Sequence, residues 1–273
     1  MASQSDAGVE PVTAASPRRI PLAVSTQAWR DVAFLHWPYA PADLGHLVPA
    51  GTRLDVRDGT TWLGVVGLRL TGVRLGGLLR MPYLGDFDEL NVRLYTVGED
   101  GRRGTVFLAM EAGRLAVVAA ARTLLRLPYA WSAVTRHRYG DVVGYDSARR
   151  VPGPAGAGIG FTLRIGDRHR ADAVEEFVTA RWGLHTPWYG MPLYLPFAHE
   201  PWPLHRAELL DFADDGLFAA AGVPAPQGAP TSVLYAPEVR PRSGPPLPAV
   251  ARRRAPAGRR AATGMSRTPS RGI

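Results

Sequence analysis

The chain of 273 residues is long enough for one large domain or two small ones, and its hydrophobic content of 46% is typical of a protein with a folded core. It contains no cysteine, which excludes disulfides, thiolate nucleophiles and cysteine-ligated zinc. All 32 basic residues are arginine, and because arginine keeps its proton, no side chain of this sequence can form a Schiff base.

The net charge of +8 is concentrated near the C-terminal end. Nine arginines and no acidic residue follow Glu238, whereas the rest of the chain holds 23 basic and 24 acidic side chains. This basic tail could neutralise phosphates weakly and without sequence preference, or it could be a solubilising segment of biased composition. We favour the second interpretation and expect no nucleic-acid partner beyond weak tail binding.

No apolar run approaches the ~18 residues that a membrane span needs, and the first six residues lack a signal-peptide pattern. We therefore expect a cytoplasmic protein without membrane contact. Residues 1–19 are predicted to be a disordered leader and residues 239–273 a disordered tail rich in arginine and proline, because neither segment has apolar periodicity. Residues 20–238 are predicted to form the folded domain, and the sequence does not define its oligomeric state.

Between these segments the predicted elements are mostly strands. Strands are predicted over residues 29–37, 54–56, 62–70, 89–97, 104–110, 129–137, 141–145, 159–165 and 232–236. Helices are predicted over residues 41–48, 111–127, 171–182, 204–210 and 214–221. The helix over 111–127 is apolar on most sides, so we expect it to be buried and to place Arg122 in apolar surroundings. These elements together predict an α+β fold.

Residues 86–95 hold the most informative pattern. Glu89, Asn91 and Arg93 alternate with apolar residues, so in a strand these three polar side chains share one face. The row could be a solvated sheet face, a pocket-facing row or a buried structural network. If it is buried, its charges need partners, for which Arg30 and Arg122 are the candidates.

Two further residues could belong to the same site. Tyr129 follows the helix-ending Pro128 and could direct its hydroxyl into a cavity, or could simply pack. His36 could be a general base, although a lone histidine in an aromatic strand is more often a hydrogen-bonded core residue. The histidines show no metal-ligand spacing, and no phosphate-binding glycine loop or G-x-S-x-G motif occurs, so we expect neither a metal nor a cofactor.

Several motifs between residues 27 and 238 resemble the YqjF-like family of bacterial proteins of unknown function. The residues that carry this resemblance are Trp29-Arg30-Asp31-Val32, His36-Trp37-Pro38, Val48-Pro49, Asp55, Glu89-Leu90-Asn91-Val92-Arg93, Leu127-Pro128-Tyr129 and Pro201-Trp202-Pro203-Leu204. The run from Glu89 to Arg93 is the most specific of them.

The YqjF-like family is similar in turn to the acetoacetate decarboxylases. The resemblance implies a β-rich barrel or curled antiparallel sheet, flanked by helices, with a central pocket. The matching residues here are Arg30-Asp31, the turn over 44–49 and Phe87-Asp88-Glu89. Where the decarboxylases carry Pro-Lys-Lys, with the Schiff-base lysine, this chain has Pro128-Tyr129-Ala130, so the resemblance does not extend to imine chemistry.

The leading hypothesis is a barrel pocket that binds a small molecule with a carboxylate or carbonyl group. In this hypothesis Arg30, Arg93 and Arg122 contact the anion, and Asn91 donates or accepts hydrogen bonds. Glu89 and Tyr129 are the candidate catalytic residues, for instance of a lyase or hydratase. The alternative is a non-catalytic binding or interaction module in which the Glu/Asn/Arg row is structural.

Overall fold

The computed structural model describes residues 8–250. Its strands are β1 (Ser25–Tyr39), β2 (Thr52–Leu54), β3 (Thr61–Leu75), β4 (Leu79–Arg80), β5 (Phe87–Gly98), β6 (Arg103–Ala112), β7 (Tyr129–Tyr139), β8 (Val142–Val151), β9 (Ile159–Arg168), β10 (Gly183–Trp188), β11 (Met191–Ala198), β12 (His205–Asp214), β13 (Ser232–Val239), β14 (Arg242–Ser243) and β15 (Leu247–Pro248). Its helices are α1 (Pro41–Leu44), which continues into a 3₁₀ turn, α2 (Leu115–Leu125), α3 (Ala173–Thr179) and α4 (Leu217–Ala220). Within these residues no helix is long and apolar enough to cross a bilayer.

The strands of the described residues form one curled sheet, antiparallel except where β6 pairs with β7 and β10. Because β1 pairs with both β3 and β13, the path β1-β13-β12-β9-β8-β7-β6-β5-β3 closes into a ring, here called the large ring. A second closure arises because β10, β11 and β14 connect β6 to β1, and this is the small ring. Strands β1, β3, β5 and β6 belong to both rings and form a shared wall.

Each face of the shared wall packs into a different core, because successive side chains of a strand point to opposite faces. Toward the large ring the wall presents fully buried residues such as Leu35, Leu63 and Leu90. Toward the small ring it presents Phe34, Val66 and other residues that pack with the chain between α2 and β7. The strand-rich, curled architecture agrees with the predicted fold class.

A buried ion-pair network connects the loop after β2 with β6 and with the segment between α3 and β10. Asp55 is 2% exposed and accepts hydrogen bonds from Arg103 and from Arg181, whose Nη1 lies 2.5 Å from Oδ2. A second Arg181 nitrogen donates to the Phe177 carbonyl at 2.6 Å. One carboxylate thereby holds two guanidinium groups in the interior, where unpaired charges are costly.

Three helix predictions need correction. A helix is predicted over residues 204–210, but residues 205–210 belong to strand β12, which pairs with β9 and β13. The helix predicted over 111–127 begins only at Leu115, since Glu111 and Ala112 complete β6, and only Val118 of α2 is buried. The remaining apolar side chains of α2 are more exposed than expected, with Leu124 at 68%. The helix predicted over 171–182 is confined to α3.

Parts of the predicted leader and tail contact the folded domain where the structure describes them. The amide of Glu10 donates to the Gly101 carbonyl at 2.9 Å, and the Trp182 indole donates to the Thr13 carbonyl at 3.2 Å. After residue 239, β14 pairs with β1 and β11, and β15 pairs with β11. Such pairing gives these segments hydrogen-bond partners that their own composition does not predict. Residues 1–7 and 251–273 of the predicted leader and tail lie outside the described residues.

We expect Asp55→Asn to lower the free energy of unfolding by about 3–5 kcal/mol, because the change leaves two buried guanidinium groups without their carboxylate. The matched control is Glu208→Gln, which removes the exposed pair with Arg164 at 2.7 Å and should cost less than about 1 kcal/mol. Urea unfolding of the full chain measures both values. Equal, small losses in the two variants would contradict a structural role for the Asp55 network.

Candidate binding pocket

A cavity of about 150 Å³, here called the pocket, lies inside the small ring. Every strand of that ring contributes side chains to its lining, and so does the start of β7. Most of the lining is apolar, with Trp29, Phe34, Phe107, Phe197 and Trp202 as its aromatic members. The polar members include Glu89, Asn91, Arg93, Tyr129 and Arg181.

The Glu/Asn/Arg row faces the pocket because of the register between β3 and β5. Glu89 is paired with Leu68, Asn91 with Val66 and Arg93 with Gly64, and directly paired residues share a face of the sheet. Glu89 and Asn91 are buried, whereas Arg93 is partly buried. The row is therefore not a solvated sheet face, which leaves the pocket and the structural interpretations.

Glu89 is held by two neutral neighbours. The Tyr129 hydroxyl donates to Glu89 Oε2 at 2.5 Å, and Asn91 Nδ2 donates to Oε1 at 3.0 Å. Burial raises the pKa of Glu89, and these two hydrogen bonds partly offset that effect. Burial and the neighbouring carboxylate raise the pKa of Tyr129 well above 10, so its phenol remains a donor. The group consisting of Glu89, Asn91 and Tyr129 combines a carboxyl with a phenol proton at one side of the pocket.

Like Glu89, Arg93 has no partner of opposite charge among residues 8–250. Its Nε donates to the Tyr95 hydroxyl at 3.3 Å, and its guanidinium lies 5.6 Å from the Phe34 ring centroid and 5.5 Å from that of Tyr95. Among residues 8–250 no carboxylate lies within 4.0 Å of this guanidinium. Gly64 makes room for it, because a Cβ at residue 64 would lie 2.6 Å from the Tyr95 oxygen and 3.3 Å from Arg93 Cγ.

Arg30 and Arg122 do not line the pocket, so their predicted pairing with Glu89 is wrong, and the described structure gives no support to the predicted contact of either arginine with a ligand. Arg30 is exposed and pairs with Glu238 at 3.0 Å. Arg122 lies on the exposed side of α2 and donates from Nη1 to the Tyr129 carbonyl at 2.7 Å. Arg122 therefore contacts the backbone of a pocket residue from outside the sheet.

The prediction for Arg30 fails because of an irregularity in β1. The pairing of β1 with β3 shifts by one residue between Arg30 and Ala33, and Asp31 has a left-handed φ of 48°. Such a bulge reverses which side chains face the interior. In a regular strand Arg30 would share the pocket face with Phe34, four residues later. Because of the bulge, Trp29 lines the pocket instead.

Sequence reasoning missed Arg181, Trp29 and Trp202 as pocket residues. Arg181 follows α3 and was expected to lie inside a longer helix, and nothing in its immediate sequence indicates the pocket. Burial lowers its pKa, an effect that Asp55 opposes. Trp29 and Trp202 were both in motifs that carry the family resemblance, and this was the only available signal for them.

His36 lies in the core beside the pocket rather than in its lining. It is fully buried, with ring centroids 6.1 Å from Phe34 and 5.9 Å from Tyr95. Within the described residues neither ring nitrogen has a hydrogen-bond partner. Burial and the nearby Arg93 lower the pKa of His36 well below 6.5, so the imidazole is neutral. A role as general base has no support from this position.

Solved structures with similar folds are enzymes related to acetoacetate decarboxylase. An acetoacetate decarboxylase-like enzyme from Sphingomonas wittichii RW1 matches with a TM-score of 0.55 at 15% identity, over 86% of this chain and 97% of that chain. The enduracididine biosynthesis enzyme MppR complexed with pyruvate matches with a TM-score of 0.53 at 11% identity, over 85% of this chain and 92% of that chain. The fold is therefore acetoacetate decarboxylase-like.

Sequence comparison adds the family. The uncharacterized protein YqjF of Bacillus subtilis (strain 168) is 29% identical over 208 residues, which are 76% of this chain and 85% of that protein. The model of the DUF2071 family, described as "Uncharacterized conserved protein (COG2071)", matches residues 26–240. That range runs from β1 to the end of β13 and includes every residue of the Glu/Asn/Arg row and Tyr129. The chain belongs to the DUF2071 family.

Proposed function

We propose that the pocket binds a small organic acid and that Arg93 is its main anion contact. The observation that carries this proposal is the Arg93 guanidinium, which faces an apolar cavity without a carboxylate partner among the described residues. A cation with restricted hydration is stabilised by an anion that brings the missing charge. The carboxylate of a ligand supplies that charge in a geometry that matches the guanidinium.

The surrounding charges favour an anion as well. Arg181 also lines the pocket, and it shares the Asp55 carboxylate with Arg103, which lies behind the lining. Two guanidinium groups next to the pocket are therefore balanced by a single carboxylate. The Arg93 side of the pocket is consequently the more positive one.

The size of the pocket limits the ligand to a small molecule. A protein cavity of about 150 Å³ is large enough for a molecule of the size of benzene. Pyruvate, with which MppR was solved, is a carboxylate and a carbonyl on three carbons and falls in this size class. The fold similarity supports a ligand of this kind, and the absence of lysine means that this chain would bind it without forming an imine.

In this proposal the second polar group of the ligand meets Glu89, Asn91 and Tyr129. A phenol that donates to a buried carboxyl group is an arrangement that could pass a proton to or from a bound ligand. Glu89 and Tyr129 are thus the candidate acid/base pair of a lyase or hydratase.

One observation favours the alternative, a non-catalytic module with a structural polar row. Both oxygens of Glu89 already accept hydrogen bonds from within the protein. A carboxylate satisfied in this way can hold β5 to β7 without any ligand, since Tyr129 is the first residue of β7. The stability of Glu89 variants separates the two interpretations.

We expect a thermal-shift screen of the full chain against acetate, pyruvate, lactate and acetoacetate to give at least one stabilising acid. A ligand at a hundredfold its dissociation constant stabilises the folded state by about 2.7 kcal/mol, which is a readable shift. Arg93→Met should abolish the shift because it removes the proposed anion contact. Arg30→Met removes an arginine of β1 that lies outside the pocket and should keep the shift. Loss of the shift in both variants, or in neither, would contradict the assignment of Arg93.

We expect Glu89→Gln to change the free energy of unfolding by less than about 1 kcal/mol at neutral pH if the row serves a ligand. The pKa of Glu89 is raised above its ordinary 4.5 in the folded state, so the folded protein holds this proton more tightly than the unfolded chain. The contribution of Glu89 to stability is therefore greatest below pH 4.5 and is lost as the pH rises through its folded pKa.

Urea unfolding at several pH values between 4.5 and 8 measures this effect as the difference between the wild type and Glu89→Gln. The wild type should lose stability relative to the variant as the pH rises. A loss of several kcal/mol in the variant at every pH would instead place Glu89 in a structural network.

A further inference from the structure

The pocket contains a buried acceptor that nothing in the described chain satisfies. Asn91 is 3% exposed and lines the pocket, and its Oδ1 has no hydrogen-bond partner within residues 8–250. Its Nδ2 donates to Glu89 at 3.0 Å. When Glu89 is ionised, exchanging the two amide atoms would place Oδ1 against a carboxylate oxygen, which only accepts, so the hydrogen bond to Glu89 sets the orientation of the amide. The free oxygen therefore needs a donor from outside the chain.

A buried donor without a partner lines the same pocket. The indole Nε1 of Trp29, on β1, is buried and unpaired among the described residues. An indole nitrogen only donates, and an amide oxygen only accepts. Among the polar groups of the lining, one acceptor and one neutral donor thus lack a partner within the described residues, and the guanidinium of Arg93 lacks a carboxylate.

These three groups define what a matching ligand must carry. A hydroxyl group both donates and accepts, so it can satisfy Asn91 Oδ1 and Trp29 Nε1. A keto oxygen only accepts, so it would leave Asn91 Oδ1 unpaired or facing another acceptor. We infer that the ligand of this pocket is a small hydroxy monocarboxylate, whose hydroxyl donates to Asn91 and whose carboxylate binds Arg93.

The spacing of the strand fits such a ligand. Asn91 and Arg93 are two residues apart on the same face of β5, which is roughly 6.5 Å along the strand. A short amide and a long guanidinium that start from these positions can reach groups on neighbouring or next-neighbouring carbons of one small acid. This inference rests on the proposed function, because it takes Arg93 as the anion contact and adds the group that distinguishes one class of acid from another.

The test compares matched acids that differ only in the hydroxyl or keto group. Dissociation constants of the full chain are measured by calorimetry for the lactate enantiomers against pyruvate, and for the 3-hydroxybutyrate enantiomers against acetoacetate. We expect at least one hydroxy acid to bind about tenfold more tightly than its keto counterpart, which corresponds to about 1.4 kcal/mol.

Two variants assign this preference to the named groups. Asn91→Leu keeps the approximate shape of the side chain and removes the acceptor, so the ratio of the two dissociation constants should fall to about one. Trp29→Phe removes a donor that both acids can use, so it should weaken both and leave their ratio unchanged. Urea unfolding of each variant shows whether it is folded. If Asn91→Leu is not folded, the ratio of the keto-acid and hydroxy-acid dissociation constants of the wild type decides whether the inference holds.

The possible results separate this inference from the proposed function. A keto acid that binds as tightly as its hydroxy counterpart, or more tightly, while Arg93→Met still abolishes binding, overturns the hydroxy-acid inference and leaves the anion pocket in place. A preference for the hydroxy acid that persists in folded Asn91→Leu also overturns the hydroxy-acid inference and leaves the anion pocket in place. If no acid of either class binds, or if Arg93→Met binds them normally, the proposed function fails and this inference fails with it.

Discussion

The strand β5 is buried on both faces, and this constraint determines where the polar groups of the protein lie. Its apolar residues, such as Leu90 and Val92, fill the large ring. Residues of the opposite phase must then enter the small ring, although three of them are polar. Buried polar groups are costly unless they are paired, so Glu89 requires its hydrogen bonds from Tyr129 and Asn91. The pocket is thus a consequence of strict alternation in a strand that has no solvent-facing side.

The alternation of polar and apolar side chains in β5 could be predicted from the sequence because β5 itself has no bulge before Arg93. The irregularity nearby, in its pairing with β6, adds the extra residue to β6. In β1 the situation is reversed, because the extra residue near Asp31 changes which side chains face inward. Asp31 is held in its left-handed conformation by side chains from distant strands, with Arg136 at 2.9 Å and the Tyr235 hydroxyl at 2.7 Å. Local sequence does not predict such a bulge, and for this reason Arg30 was assigned to the pocket instead of Trp29.

The helix α2 shows a second limit of sequence patterns. Its apolar residues predicted a buried helix, yet the described structure leaves Leu115 and Leu124 mostly exposed. An apolar stripe shows that one face of a helix can be buried, but the way the helix packs on the sheet determines which of its side chains are buried. Arg122 consequently lies outside the sheet, and its hydrogen bond to the Tyr129 carbonyl helps to hold the start of β7. The closure of the small ring was unpredictable in the same way, because β14 has only two residues and exists through its partners.

The electrostatic pattern of the pocket runs along β5. At one end burial raises the pKa values of Glu89 and Tyr129. At the other end Arg93 and Arg181 provide positive charge, and burial together with the nearby Arg93 lowers the pKa of His36. A nucleophilic amine at residue 129 would lie beside a carboxyl group that favours its protonated form. A phenol at this position instead donates to that carboxyl group and remains protonated. The pocket therefore has a carboxyl and phenol group at one end and a guanidinium group at the other, and the proposed hydroxy acid would direct its hydroxyl toward Asn91 beside the first and its carboxylate toward the second.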